Sequence, residues 1–131
     1  MAGLSTYAQQ KILEHSVGKT SWTMPANVWI ALYTATPSDA GGGTEATGGS
    51  YARKQTTGTD WGTASGTSIA NAAVITFVTP TGSWGTVTHF AIMDAVTAGN
   101  QIGWAALTTP QAIGTGNTVS FAIGALTITL D

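Results

Sequence analysis

The amino-acid sequence predicts an all-β protein, a jelly-roll-like antiparallel β-sandwich with one short helix near its N-terminus. The first observation is that apolar residues alternate with other residues in several short segments, which is the period of a strand. The second is that Gly and Pro separate these segments, as they do in sandwiches and barrels. With 131 residues, of which 43% are hydrophobic, the chain is long enough for one core. We therefore predict a single β-sandwich domain over residues 1–131.

The longest alternating segment is Ser83–Asp94, with the sequence SWGTVTHFAIMD. Phe90 and Ile92 point to one face of the predicted strand, and the opposite face is apolar except at one position. That opposite face carries Val87, His89, Ala91 and Met93. Both faces are therefore expected to be covered. Gly99-Asn100 is a two-residue turn signal, after which the chain alternates again, so we predict a long central hairpin.

The N-terminal segment predicts the one helix, between about residues 5 and 17. Ser5 is suited to be its N-cap, apolar residues follow at helical spacing, and Gly18 stands where a helix commonly ends. Further strands are predicted over Asn27–Tyr33, Tyr51–Thr57, Thr67–Phe77, Val119–Ile123 and Leu126–Leu130. The predicted core contains Leu32, Phe90, Ile92, Phe121 and Ile128.

The longest irregular segment is Thr36–Ser50, TPSDAGGGTEATGGS. Its content of Gly, Ser and Thr predicts a flexible loop. Loops of this length in a compact domain are usually functional or mobile. We therefore expect this loop, together with the N-terminal helix, to reach neighbouring proteins. Its charged residues Asp39 and Glu45 are candidate interface residues for that reason.

Charged residues make up only 8% of the chain, against roughly 25% in an average soluble protein. With four Lys and Arg residues and a net charge of -2, the chain has too few cations to neutralise phosphates, which excludes a nucleic-acid partner. Arg53-Lys54 is the one basic pair, and we interpret it as a solvated strand face or an interface contact. The absence of Cys excludes disulfides. No apolar segment approaches the length of a membrane span, so no membrane partner is expected.

Motifs for catalysis or cofactor binding are missing from the sequence. The segment 18–20, GKT, resembles the end of a phosphate-binding loop, but it follows a helix and lacks the first glycine of that motif. The glycines at 41–43 are not surrounded by the βαβ unit of a dinucleotide site. His15 and His89 are the only histidines, and His89 and Asp94 fall on opposite faces of a regular strand. We expect no enzyme, no catalytic residues, no metal site and no cofactor.

Five tryptophans are more than the core of so small a sandwich buries completely. Trp29 and Trp104 lie in predicted strands and are interpreted as core or partly core. The other three lie beside Gly, Ser or Thr at loop or strand-edge positions. They either cover an end of the sandwich or anchor a protein interface, where aromatic residues are favoured. The candidate interface residues are therefore Trp22, Trp61, Trp84, Asp39, Glu45 and Arg53.

Four segments carry a resemblance to known proteins. They are NVWIALYTATPSDAG from Asn27, SWGTVTHFAIMDA from Ser83, IGWAAL from Ile102 and SFAIGALTITLD from Ser120. Together they resemble a family of small tailed-phage virion proteins, often labelled tail fibre proteins, over essentially the whole chain. This family is similar to jelly-roll cement proteins that decorate phage capsids. The resemblance implies a virion structural protein without enzymatic activity, and it assigns no site residues.

The first functional hypothesis is a capsid cement or decoration protein. Such a protein binds the outer surface of the shell in many copies and stabilises it. Its partners would be the major capsid protein and neighbouring copies of itself, with which it would form a homodimer or homotrimer. It would lie on the capsid surface of the virion, and the virion would be assembled in the cytoplasm of the bacterial host. The alternative is a tail fibre or tail-tip component that binds a receptor. A small hydrolase is a third hypothesis, with the least support.

Overall fold

The computed structural model describes residues 2–23 and 25–130, and most of its elements are β-strands. The strands, in chain order, are β1 (Ala2–Leu4), β2 (Val28–Ala35), β3 (Thr44–Glu45), β4 (Lys54–Thr56), β5 (Ser68–Ala70), β6 (Ile75–Thr76), β7 (Gly85–Met93), β8 (Gln101–Ile113), β9 (Ser120–Phe121) and β10 (Thr127–Thr129). The helices are α1 (Thr6–Ser16) and a 3-10 helix (Gly58–Asp60).

Eight strands form one sheet in the order β3-β2-β7-β8-β1-β10-β5, with β4 also paired to β2. The strands β6 and β9 form a separate two-stranded ribbon. This ribbon packs on one face of the sheet, where the rings of Phe90 and Phe121 lie 5.6 Å apart. These two layers confirm the predicted all-β sandwich with one α-helix. Among the described pairings, only that of β1 with β10 is parallel, whereas the prediction was an antiparallel sandwich. The alternation of side chains does not reveal this difference, because its period is the same in parallel and antiparallel strands.

The helix α1 occupies its predicted position and has its predicted caps. The Ser5 hydroxyl accepts a hydrogen bond from the Ala8 N–H at 3.2 Å, which satisfies one of the donors that a helix start leaves unpaired. Gly18 has a φ of 75°, the left-handed conformation that favours glycine after a helix. The Ser5 hydroxyl also donates to the Gln101 carbonyl, which fastens the start of α1 to β8. Neither described helix is long and apolar enough to cross a membrane.

The main core lies between the sheet and the β6–β9 ribbon. Leu32 pairs with Phe90 on the neighbouring strand, and Ile92 lies on the same side of β7. These three predicted core residues are between 1% and 4% exposed, which confirms them. Phe121 and Ile128 are half-buried and pack against the same core.

The register between β7 and β8 is irregular at two places, and the larger irregularity lies between Val87 and His89. Val87 pairs with Gln111, and His89 pairs with Ala106. One residue of β7 therefore lies opposite residues 107–110 of β8, which form a bulge. The prediction that Val87 and His89 share a face is wrong, because the bulge interrupts the alternation. Val87 is 1% exposed and belongs to the main core.

The central hairpin is confirmed, but its loop is longer than the two residues predicted. The strand β7 ends at Met93 and β8 begins at Gln101, so residues 94–100 connect them. Asp94 closes this loop, because its carboxylate accepts hydrogen bonds from the N–H and the side-chain amide of Asn100 at 2.7 and 3.0 Å. Gly99 has a φ of 76°, which explains the glycine at this turn.

The segment 36–50, predicted as an irregular flexible loop, contains the short strand β3 and is bound to the rest of the chain. Glu45 pairs with Tyr33 of β2. The N–H of Ala46 donates to the Leu32 carbonyl at 2.8 Å, and the Gly49 carbonyl accepts the Thr81 N–H at 2.9 Å. The segment thus has structure of its own, and its flexibility stays a prediction.

Candidate interaction surface

Charged residues are distributed very unevenly along the chain. Residues 61–93 and 95–130 contain no Asp, Glu, Lys or Arg, and they include every strand from β5 to β10. We call the surface formed by these two segments the neutral half. Seven large hydrophobic residues are exposed in the described part of the chain, and five of them lie in the neutral half. These five are Val74, Val78, Val96, Ile123 and Leu130.

The outer side of the β6–β9 ribbon is an exposed, regular part of the neutral half. Ile75 and Phe77 face the core and are 1% and 4% exposed, whereas Val74 and Val78 are 55% and 48% exposed. Side chains of β9 lie beside them because the two strands pair residue by residue. We call this surface the outer ribbon face, and it is formed by Val74, Thr76, Val78, Ser120 and Ala122. Its apolar and hydroxyl groups, without charge, are typical of the centre of a protein interface.

A groove of about 570 Å³ lies between the β8 bulge and residues 117–121, also in the neutral half. Its floor reaches the main core at Leu32, Val87 and Phe121. Hydroxyl and amide side chains form its rim, which consists of Thr108, Thr109, Gln111, Asn117, Thr118 and Ser120. The groove therefore continues the uncharged character of the outer ribbon face toward β8.

Arg53 and Glu45, two candidate interface residues, form an ion pair inside the chain. The Nη2 and Nε atoms of Arg53 lie 2.8 and 2.9 Å from the two carboxylate oxygens of Glu45. The Nη1 group of Arg53 donates to the Ala95 and Ala98 carbonyls at 2.9 and 2.8 Å, and the Tyr51 hydroxyl donates to Glu45 at 2.8 Å. The Arg53 side chain is 6% exposed. All three guanidinium nitrogens are bound within the chain, so the prediction of a solvated strand face is wrong, and an interface contact at Arg53 stays a prediction.

The electrostatics of this cluster favour a permanent charge pair. Burial acts to raise the pKa of Glu45, but the hydrogen bonds from Arg53 and Tyr51 outweigh it, so that this pKa lies below its ordinary value. The hydrogen bonds to Glu45 raise the pKa of Arg53, and burial raises the pKa of Tyr51. At neutral pH the cluster therefore contains a carboxylate, a guanidinium and a neutral phenol, an arrangement suited to holding segments together.

Trp84, a third candidate, lies in the main core. Its side chain is 2% exposed, and its Nε1 donates to the Gly49 carbonyl at 2.9 Å. Its ring packs edge-on against Tyr51, with the centroids 5.1 Å apart. The prediction of an interface anchor at this position is wrong, because the segment 36–50 folds over the indole.

The remaining candidates are accessible but separate from the ion pair. Trp22 is half-buried and packs edge-on against Tyr7 at 6.3 Å. Trp61 is half-buried, and its Nε1 donates to the Thr56 hydroxyl at 3.1 Å. Asp39 is exposed, and its carboxylate accepts the Trp104 Nε1–H at 2.9 Å. Among the six candidates, the hydrogen bonds of the described residues join only Glu45 with Arg53.

The outer ribbon face is not among the predicted sites, although the sequence carries a signal for it. In the segment Val74–Val78, apolar residues occupy both faces of the strand. A strand with one solvated face has polar residues on that face. The described residues include no group of three or more His, Cys, Asp or Glu that could hold a metal ion.

A comparison with protein-family models identifies a match over almost the whole chain. The model described as "Podophage GP4 fiber I protein gp80" matches residues 3–129, a range that extends from β1 through β10. No curated protein matches the chain significantly. The family agrees with the tailed-phage virion proteins that the four sequence segments resemble. The chain therefore belongs to the podophage GP4 fiber I protein gp80 family and is a phage virion structural protein of the fibre type.

Proposed function

We propose that this protein is a fibre subunit on the virion surface and that it contacts neighbouring virion proteins, including copies of itself, through the neutral half. The observation that carries the fibre assignment is the family match over residues 3–129, because that family is described as a fibre protein. Capsid cement, the first hypothesis from the sequence, becomes the alternative hypothesis. The proposed role is structural and not enzymatic.

The neutral half supports this mode of contact for an energetic reason. A charged side chain buried in an interface loses hydration that only a well-placed partner restores, whereas valine and threonine need no such partner. Val74 and Val78 are about half exposed on the outer ribbon face, so each still has apolar area to bury on assembly. Contacts of this kind tolerate high salt, because screening acts on charges.

The number of copies per virion distinguishes the fibre from the cement hypothesis. We expect this protein to be present at a small fraction of the copy number of the major capsid protein, measured by quantitative mass spectrometry of purified virions. Reconstruction by cryo-electron microscopy should place it on an appendage. A copy number comparable to that of the major capsid protein, with density over the shell, would contradict the fibre assignment and support cement.

The contribution of the outer ribbon face is testable by introducing one charge. We expect Val78→Lys to reduce incorporation into virions, because the new ammonium group would have to be buried in the contact. Val17→Lys is the matched control, since Val17, the C-cap residue of α1, is 77% exposed and lies outside the neutral half. Incorporation is measured by immunoblot of purified particles after washing in low and high salt.

For the unmodified protein we expect equal retention at both salt concentrations. Equal incorporation of the two lysine variants would show that the outer ribbon face is not the contact surface. Release of the unmodified protein by high salt would show that charges, and not the neutral half, hold it.

A further inference from the structure

The loop at the end of the central hairpin presents an aliphatic side chain to solvent. This loop, residues 94–100, connects β7 to β8, and Val96 within it is 58% exposed. The residues on either side of it, Ala95, Thr97 and Ala98, are small and uncharged. The peptide groups of Val96 and Thr97 form no hydrogen bond within the described part of the chain. We call residues 95–98 the tip.

Hydrogen bonds from two directions hold the tip in place. The Arg53 guanidinium donates to the Ala95 and Ala98 carbonyls at 2.9 and 2.8 Å. Asp94 joins the two ends of the loop through its hydrogen bonds with Asn100. Ala98 has a φ of 50°, a left-handed conformation that is uncommon outside glycine and that concentrates at functional sites. Because the loop is fixed before binding, a contact through the tip costs little conformational entropy.

The groove beside the β8 bulge lies at the other end of the same hairpin, and we call it the bulge groove. The tip adjoins the start of β8 at Gln101, whereas residues 107–109 and 111–113, near the end of β8, line the groove. The strand has 13 residues, so its ends lie up to about 40 Å apart at about 3.3 Å per residue. A tip therefore cannot reach the bulge groove of its own chain, but it can reach that of a second copy.

The tip and the bulge groove match in chemistry. The floor of the groove is apolar, with Leu32, Val87 and Phe121, and none of its lining residues is charged. The Val96 side chain can therefore be buried there without removing a charge from water. The volume of about 570 Å³ lies in the range of cavities that hold small molecules. It leaves room for the small residues on either side of Val96.

The walls of the bulge groove offer polar groups to the free peptide groups of the tip. Residues 107–110 of β8 have no partner in the β7 register, and β1 pairs with β8 only at Gly103 and Trp104 among the described residues. On the opposite wall, β9 pairs with β6 alone among the described strands. Each wall therefore contains backbone that no neighbouring strand covers. The hydroxyl and amide side chains of the rim add further donors and acceptors.

We propose that the tip of one copy binds in the bulge groove of the next copy, so that subunits join head to tail. Val96 contacts the apolar floor, and the peptide groups of Val96 and Thr97 form hydrogen bonds with the walls. Such a contact is heterologous, because two different surfaces meet, and it repeats from copy to copy as a filament or a ring. The inference rests on the proposed function and specifies which parts of the neutral half join two copies.

The contact is tested by sedimentation velocity of the full-length protein between about 10 μM and about 1 mM, since one small contact is expected to have a dissociation constant on the order of 100 μM. We expect species larger than a dimer to form as the concentration rises. Val96→Lys, in the tip, and Thr109→Lys, in the exposed rim of the groove, should each weaken association about tenfold or more, because each buries an ammonium group. Val17→Lys adds the same charge outside both surfaces and should associate as the unmodified protein does.

A mixture of Val96→Lys and Thr109→Lys distinguishes a head-to-tail contact from a symmetric one. The first variant keeps an intact groove and the second an intact tip, so one copy of each should form a dimer that does not extend. The proposal is overturned if the unmodified protein stays monomeric at the highest concentration, or if Val96→Lys is folded by circular dichroism and associates unchanged. It is also overturned if the mixture of the two folded variants stays monomeric.

Val78→Lys separates this contact from the contact surface proposed above. It alters the outer ribbon face and leaves the tip and the bulge groove intact, so we expect it to associate in solution as the unmodified protein does. Loss of that association would assign the contact between copies to the outer ribbon face and overturn the head-to-tail contact. Unchanged association together with unchanged incorporation into virions would contradict the role of the outer ribbon face and support the contact between tip and groove.

Discussion

Replacing Trp84 with alanine is expected to lower the free energy of unfolding by about 3–5 kcal/mol, as removal of a buried aromatic side chain generally does. The indole is 2% exposed and contacts the rings of Tyr51 and Phe77 at centroid distances of 5.1 and 6.4 Å. Its loss leaves a cavity and removes one of the two hydrogen bonds that the Gly49 carbonyl accepts, the other coming from the Thr81 N–H. A domain of this size has only about 5–15 kcal/mol of stability, so the variant should be marginally stable.

The measurement is urea unfolding followed by circular dichroism, with the midpoint and slope compared between variants. Trp22→Ala is the matched control, because Trp22 is half-buried and its main ring contact is Tyr7 at 6.3 Å. We expect a loss of about 1 kcal/mol for this control. Equal losses for the two variants would show that Trp84 is not part of the core.

Trp84 also shows why the sequence alone placed a core residue at the surface. Gly82 and Gly85 stand on either side of it, and glycines usually mark a turn at the end of a strand. The structure uses this backbone differently, because Gly49 approaches Gly82 so closely that a Cβ on Gly49 would lie 2.3 Å from the Gly82 nitrogen. This contact closes the segment 36–50 over the indole. A contact between residues so far apart in the chain has no local signal in the sequence.

The elements that were predicted correctly are those fixed by local chemistry. The caps of α1 depend on Ser5 and Gly18, and the central hairpin depends on the alternation along β7 and on Gly99. The register was not predictable, because a bulge such as residues 107–110 of β8 changes which side chains share a face without changing the composition. The parallel pairing of β1 with β10 depends on bringing the two ends of the chain together, which no periodicity encodes.

The candidate surface was predictable in its chemistry but not in its location. The low charge of the chain indicated a neutral protein interface, and the structure shows where exposed aliphatic residues such as Val74 and Val78 lie. Glu45 and Arg53 were assigned to the surface because charged residues are usually solvated. Their pairing required β3 and β4 to pair with the same edge of β2, opposite β7, which is a tertiary effect.

Breaking the ion pair between Arg53 and Glu45 is expected to have the second large effect on the free energy of unfolding. We expect Arg53→Met to lower the free energy of unfolding by about 3 kcal/mol at pH 7, because breaking a buried pair leaves an uncompensated charge. Glu45, whose side chain is 26% exposed, would keep only the hydrogen bond from Tyr51. The carbonyls of Ala95 and Ala98 would lose their donor, which would also loosen the central hairpin loop.

Lys54→Met is the matched control, since Lys54 is the next residue, is exposed, and carries the same charge. It should change the free energy of unfolding by less than about 0.5 kcal/mol, as most surface substitutions do. Both variants are compared by urea unfolding at pH 7. Similar losses for the two would contradict the assignment of Arg53 to an internal pair.

The pH dependence of stability tests the same pair through its other member. Because folding lowers the pKa of Glu45 below the ordinary value of 4.5, the unfolded chain binds the proton more tightly than the folded one does. The stabilisation is therefore fully present above about pH 4.5, and it is lost as the pH falls through the lowered pKa of the folded state. The Glu45→Gln variant has no carboxyl group at this position to titrate. As the pH falls below 5, its free energy of unfolding should therefore decrease less than that of the unmodified protein. An identical acid loss in both proteins would show that Glu45 is not stabilised as a carboxylate by Arg53 and Tyr51.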